Sequence, residues 1–325
     1  MSLVQENRKL IFRKEEFEFV HHAFLCEETN EQFTTTELDN LNVFQVYNQY
    51  REKHNIPFPE EIKAIREKYG VSAVKMAEIL GFGTNSYRLY EDGEVPQLSN
   101  ARLIQNVAVS HNFKNMVQLC DSIDEKTRIK ITKHVEKIIE DENLHLNDSV
   151  ILRHLMGESK PNTLTGFISP TIEKLGEMVV YFSAILCPYK TKLNKLLFYA
   201  DFLHYKQTGF SISGVRYRAI DMGPVPNNFQ SIFEYIQLSN KIEIENVFID
   251  NDITGELFKK QEDYTFKKEL FSESEMLVLE RVAEFFKLIK TKDIIEMSHE
   301  ESAWKETIKS KSLIPYSYAF ELKHI

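Results

Sequence analysis

Glycine is scarce, at 11 of 325 residues, about half its usual share of roughly 7%. That argues against folds built on glycine-rich turns and for a helix-rich chain. Cysteine is scarcer still. Cys26, Cys120 and Cys187 are far apart, odd in number and form no Cys-x-x-Cys pair. A disulfide framework and a four-cysteine zinc site are therefore not expected, and a reducing cytoplasm fits best. No apolar run reaches about 18 residues, so no membrane span is expected. The opening MSLVQENRKLIF lacks the apolar stretch and cleavage site of a signal peptide. Positive charge is not in excess either. Forty Lys and Arg stand against 49 Asp and Glu, a net charge of −9, so the chain is no polycation that holds nucleic acid non-specifically.

Aromatic residues are plentiful, with 23 Phe and 14 Tyr among 42% hydrophobic residues. Disordered chains are poor in such residues, and the length suits about two domains. The pattern reads as a mainly α (α+β) protein: a small N-terminal β module, a helix-turn-helix bundle, then a helical domain with a small antiparallel sheet. Residues 8–34 read as short β segments, one from Ile11 to Val20 and one at His22–Leu25. Helical spacing follows over 36–54, then short helices at 61–69, 73–80, 84–91 and from Asn100, with Gly70 and Gly81 at two ends. Residues 110–156 are helical and charged, and 157–169, GESKPNTLTGFIS, reads as a linker. Beyond it come helices at 171–186 and at 191–206. The second is capped by Thr191 and apolar nearly all round, as a central helix is. Strands are expected at 215–219, at 242–244 and at 264–266. A helix runs over 228–238, and a Ser272/Glu275 capping box opens another at 276–289. The spacing predicts a short helix over 291–297.

Catalytic motifs are missing. There is no P-loop and no GxGxxG, since Ser86 stands where the third glycine would. His299-Glu300-Glu301-Ser302-Ala303 fails as a zinc motif at its second histidine, and Gly209-Phe210-Ser211-Ile212-Ser213 lacks the last glycine of a nucleophile elbow. No enzyme activity, cofactor or metal is expected. Ser72–Gly81 followed by a second short helix has helix-turn-helix form, with small Ala77 at the crossing and Val74, Ile79 and Leu80 buried. Between Ser72 and Asp92 two basic residues, Lys75 and Arg88, stand against three acidic ones. Groove-reading units usually carry basic phosphate contacts, so a helical interaction bundle stays open beside DNA binding.

Two resemblances sharpen this. Glu60–Gly70, Gly81-Phe82-Gly83 and Tyr90-Glu91-Asp92-Gly93-Glu94 resemble the Xre-type helix-turn-helix of MqsA-like antitoxins, and Tyr47–His54 is similar to the helix that precedes it there. That family's N-terminal module holds zinc with paired CxxC motifs. Here Cys26 is alone and Thr29 stands where its partner would, which implies a zinc-less module. Asn85 matches the family's DNA-contacting Asn. The Arg before the Tyr-Glu pair is Leu89 here, with Arg88 one position earlier. The DNA-binding candidates are Lys75, Thr84, Asn85, Ser86 and Arg88.

The C-terminal half resembles the Panacea domain, also called the SocA-like antitoxin domain, found in bacterial and phage genomes. The segments that carry this are Thr191–Asp201, Ala219 with Gly223-Pro224-Val225, and Ser298-His299 with Trp304. Gly223, Pro224, His299 and Trp304 are read as structural motif residues. Lys192, Lys195, Asp201, Arg216 and Arg218 are candidates for a partner surface, with a buried ion pair as the other reading of Lys192, Lys195 and Asp201. The resemblances imply a cytoplasmic, phage-associated antitoxin of a type II toxin-antitoxin system. Its partners would be a cognate toxin, operator DNA and a second copy in a homodimer. The expected domains are 1–56, 57–110, 111–169 and 170–325. A regulator without a toxin, and a hydrolase or nuclease site in the C-terminal half, are the rival readings.

Overall fold

The computed structural model describes residues 1–144, 155–157, 160–250 and 253–325. The chain divides into two compact units, Met1–Ile151 and Leu152–Ile325, and is mainly helical with small antiparallel sheets.

The first unit opens on a long hairpin of β1 (Ser2–Phe12) and β2 (Glu15–Leu25), with β3 (Gln32–Phe33) paired to the end of β2. The expected strand from Ile11 to Val20 is corrected: a tight turn interrupts it at Arg13 and Lys14. Both have positive φ, at 49° and 72°, as two-residue hairpin turns require. The Arg13 guanidinium donates to the Val95 and Pro96 carbonyls at 2.6 and 2.9 Å. This turn carries neither Gly nor Asn, so its sequence gives no warning.

Helix α1 (Thr36–His54) is capped by Thr35 and ends at Asn55 in the left-handed region. It runs along the edge of β2 and bonds to it with side-chain amides. Asn42 accepts from His22 N at 2.8 Å and donates to His22 O at 3.0 Å. Gln45 accepts from Val20 N at 3.0 Å and donates to Val20 O at 2.8 Å, and Gln49 donates to Glu18 O at 2.8 Å. Steps of three or four residues on a helix cover about 5 Å, close to the roughly 7 Å of two strand residues. One helix face therefore serves alternate strand positions and seals an edge that would otherwise be open to pairing.

Helices α2 (Pro59–Lys68), α3 (Ala73–Leu80), α4 (Ser86–Glu91), α5 (Leu98–Val107), α6 (Ser110–Leu119) and α7 (Glu125–Leu144) close over Ile62, Tyr69, Met76, Ala77, Tyr87, Phe113 and Val135. Ser72 caps α3 by accepting from Lys75 N. Val74, expected inside, is 51% exposed, because Met76 takes the core-facing position.

The second unit begins before the expected boundary at 170. The segment read as a linker packs into it: Phe167 and Ile168 are buried, Ser211 N donates to Gly166 O, and Tyr316 N donates to Thr163 O. Its Gly, Pro, Ser and Thr make turns that fold onto the core instead of a flexible tether. Residues 158–159 lie outside the described residues. Then come α8 (Ile172–Leu186), α9 (Lys190–Thr208), β4 (Tyr217–Ile220), β5 (Gly223–Pro226), α10 (Phe229–Leu238), β6 (Ile242–Asp250), β7 (Ile253–Lys260), α11 (Glu273–Phe286), α12 (Thr291–Glu300), α13 (Ser302–Lys305) and β8 (Leu313–Ile314). One sheet has the order β5-β4-β8, and β6 pairs with β7. The Ser272/Glu275 capping box forms as expected. Thr191 does not cap α9, which starts from Tyr189. The strand expected at Tyr264–Phe266 is absent, and the partner of β6 is β7, whose charged residues Glu256, Lys259 and Lys260 hide its alternation.

Candidate functional site

Helix α9 is the axis of the second unit. Leu193, Leu196, Leu197, Phe198, Ala200 and Phe202 are fully buried, so apolar contact surrounds it. Two charged side chains of α9 itself sit in that core. Asp201 is wholly buried. After Gly209 the chain turns back, and Oδ1 of Asp201 accepts from Ile212 N and Ser213 N, both at 2.8 Å. Its Oδ2 accepts from the Ser213 hydroxyl at 2.6 Å and the Tyr217 hydroxyl at 2.7 Å. Burial raises its pKa and these four bonds oppose the rise. Ser211, in the elbow-like stretch, donates its hydroxyl to Thr165 O at 2.7 Å. The nearby His204 bonds the Phe210 carbonyl and the Ser274 hydroxyl, so these groups bind the loop to the helix.

Lys195 is the second buried charge, with no exposed surface. Its Nζ donates to Pro224 O at 2.8 Å. Burial pushes its pKa down to about 7. Gly223 has φ of 93°, and a Cβ there would fall 2.4 Å from Ser298 Oγ and 2.6 Å from Lys195 Cε, so only glycine fits. The His299 ring stacks on Trp304, with centroids 3.9 Å apart, and the Trp304 indole donates to Ile220 O at 2.8 Å. His299 also bonds the Asp221 backbone, while burial and then the Lys195 charge lower its pKa. Lys195, Gly223, Pro224, Ser298, His299 and Trp304, distant in sequence, thus meet around one turn, Asp221-Met222, between β4 and β5.

The expected partner surface is corrected at two positions. Lys195 and Asp201 are interior, and they do not pair with each other: one donates to a carbonyl, the other gathers four donors. Lys192 is half-buried and donates to Ile289 O at 2.6 Å near the end of α11. Arg216 is half-buried beside Gly157. Arg218 is exposed on β4 and reaches Asn227 Oδ1 and Lys311 O, both at 3.1 Å. The sequence reading missed Glu177, which has no exposed surface. Burial pushes its pKa up, but Lys241 Nζ, the Tyr264 hydroxyl and Lys267 N outweigh this and the net shift is downward. A lone acid within the apolar run Leu175–Phe182 was the available signal. Glu301 was missed as a hub too. It accepts from Tyr199 OH and Lys323 N, and burial raises its pKa.

In the first unit α3 and α4 are joined by the turn at Gly81–Gly83. Tyr87 is anchored by donating to Ile62 O at 2.8 Å, Tyr90 accepts from Asn100, and Glu91 holds Arg66 through two bonds. Thr84, Asn85 and Arg88 are left exposed, with Ser86 half-buried. Lys75 is paired with Glu78 at 2.6 Å, and Arg88 lies 3.9 Å from Asp92. Among the described residues no group of three or more His, Cys, Asp or Glu is placed to hold a metal ion, and no helix is long and apolar enough to cross a membrane.

No curated protein and no solved structure gives a significant match to the chain. The family comparison does, and its span runs from α9 through the β4–β5 turn to α13, taking in all the residues gathered there: residues 193–305 match the family Antitoxin SocA-like, Panacea domain.

Proposed function

We propose that the protein is a cytoplasmic antitoxin of a type II toxin-antitoxin module that neutralises a cognate toxin by binding it directly through the Panacea domain. The family match over residues 193–305 carries this reading. The contact would be made by the β4–β5 turn and the outward side of β4, with Arg216, Arg218 and Met222. Lys195, His299 and Trp304 hold that turn from behind, and an element fixed in advance loses little conformational entropy on binding. Arg and Met are also favoured at interfaces.

The test is co-expression with the adjacent reading frame, scoring growth and co-purification, followed by titration of toxin activity. Neutralisation should be stoichiometric, and Arg218→Glu should weaken it. Full neutralisation at a small fraction of the toxin concentration would replace binding by turnover and favour the hydrolase reading.

A second activity, operator binding through α4, is supported by one observation: Tyr87 and Tyr90 anchor the helix while Thr84, Asn85 and Arg88 stay exposed. Asn suits an adenine edge and Arg a guanine edge. The acidic surroundings imply a shallow dependence on salt. Promoter binding untouched by the double change Asn85→Ala, Arg88→Ala would remove this helix as the reader. Promoter binding by a chain with no toxic neighbour would favour a regulator alone.

A further inference from the structure

Strand β1 is the terminal strand of its sheet, 11 residues long and exposed over almost its whole length. Its free edge can be defined residue by residue. On β2, Glu18, Val20 and His22 turn their backbone groups away from β1, toward Gln49, Gln45 and Asn42 of α1. Their β1 partners are Lys9, Asn7 and Gln5. In an antiparallel pair both members of such a position face outward. Leu3, Gln5, Asn7, Lys9 and Ile11 therefore present their N–H and C=O groups on the open edge. Where the other side of this hairpin is sealed by α1, this side is, among the described residues, an unpaired template.

The residues along that edge form a palindrome of chemistry about Asn7. Laid antiparallel against a second copy of itself with Asn7 facing Asn7, the strand places Leu3 opposite Ile11, Val4 opposite Leu10, Gln5 opposite Lys9 and Glu6 opposite Arg8. Parity agrees as well. Odd residues meet odd residues, so each outward backbone group finds its counterpart, giving about ten inter-strand hydrogen bonds. Even residues meet in the close, non-bonded pairs where side chains interact most strongly. Glu6 and Arg8 already bond within the strand at 2.9 Å, and two-fold pairing would extend them into a ring of four alternating charges. A shift of two residues in this register sets Glu6 against Glu6 or Arg8 against Arg8, which disfavours the alternatives. Leu3, Leu10 and Ile11 are 49%, 39% and 72% exposed, and pairing would cover them.

We infer that the protein self-associates by two-fold antiparallel pairing of β1 with β1 of a second copy, forming one continuous sheet of six strands with the order β3-β2-β1-β1-β2-β3. The interface lies in the first unit and needs neither toxin nor DNA.

Sedimentation velocity on the full chain over a wide concentration range tests it. The wild type should show a concentration-dependent monomer–dimer equilibrium. Glu6→Arg puts like charges at both symmetry-related pairs and should raise the dimer Kd about tenfold or more. The double change Glu6→Arg, Arg8→Glu restores opposite charges in the same register and should restore the dimer. Asn7→Pro removes an outward N–H at the two-fold axis without taking a bond from β2, and should also leave monomer. Far-UV circular dichroism confirms that each variant keeps the fold. A wild type that is monomeric throughout overturns the inference. So does a dimer indifferent to Glu6→Arg and Asn7→Pro, or a charge swap that fails to rescue a folded protein.

Discussion

Helices α1 and α9 are each 19 residues long, and both bury polar side chains; each buries a charge that holds a loop, Arg51 of α1 donating to Gly93 O, but α1 alone also meets a strand. In α1 the buried groups that meet the strand are neutral amides, Asn42 and Gln45, each offering a donor and an acceptor to one backbone position. In α9 they include a carboxylate and an ammonium, Asp201 and Lys195, each holding a loop against the helix. A neutral amide replaces the water of a strand edge at low desolvation cost. A buried charge costs far more: Asp201 offsets that cost with four donors, whereas Lys195, with the Pro224 carbonyl as its acceptor, is pushed toward its neutral form. The first device seals an edge, and the second fixes irregular chain where no ladder is available.

The largest expected effect follows from that contrast. Asp201→Ala leaves two backbone N–H groups and two hydroxyls without their acceptor, and should cost about 4 kcal/mol or more. Asp201→Asn keeps an acceptor and lets the hydroxyls reorient, for a loss of about 2 kcal/mol. Trp304 is the sole tryptophan and lies in the second unit, so urea unfolding followed by its fluorescence reads this directly. A loss below about 1 kcal/mol for Asp201→Ala would remove the distinction drawn between the two helices.

In α1 the same truncation should be milder and more local. Asn42→Ala exposes one N–H and one C=O of His22, and Gln45→Ala those of Val20. Each should cost about 1–2 kcal/mol. Because the amide groups serve single strand positions, hydrogen exchange should quicken at His22 N–H in the first variant and at Val20 N–H in the second. Uniform loss of protection along β2 would show that the ladder acts as one body instead of position by position.

Legibility in sequence divided along the same line. Helices α1, α3 and α9 could be read because apolar periodicity, Ser72 and Gly209 are local signals. Gly223, Pro224, His299 and Trp304 were singled out by resemblance, and the structure supplies the reason they occur together: one turn gathers them. The roles of Lys195 and Asp201 were not legible, since a charge on an apolar helix reads as surface until its partners, some 10 to 30 positions further along, are known. Arg13-Lys14 failed for a different reason. Their left-handed conformation belongs to the two-residue turn, and the carbonyls that anchor the Arg13 side chain, those of Val95 and Pro96, lie far off in the chain. The segment 160–169 has a linker's composition and a core's burial, because its side chains meet loops after α9 that periodicity does not describe.

Titration sharpens the comparison further, since the amides of α1 do not ionise. Lys195 has a folded pKa of about 7, against roughly 10.4 when exposed. Between those values the unfolded chain binds more protons, so stability rises with pH; below about 7 the penalty is fully present and constant. Lys195→Met lacks this dependence but leaves Pro224 O without its donor. Between pH 7 and pH 9 the wild type should gain at least ~1 kcal/mol relative to this variant. A gap constant over that range would show that the ammonium stays charged in the folded protein.

The smallest effect lies at His299. Burial and the nearby Lys195 charge hold its pKa below the usual value. As pH falls, the unfolded chain protonates this imidazole first, so its contribution to stability declines from the ordinary histidine range downward, by a few tenths of a kcal/mol. The optical consequence is clearer. A neutral ring stacked on Trp304 becomes a cation against the indole, and emission should fall with a midpoint below about 6.5. His299→Gln should abolish the transition. Lys195→Met removes a positive charge that opposes protonation, so it should move the midpoint upward while leaving the stacking in place. A midpoint that ignores Lys195 would mean the two groups are screened from each other, and that the charge held in α9 does not reach the turn it supports.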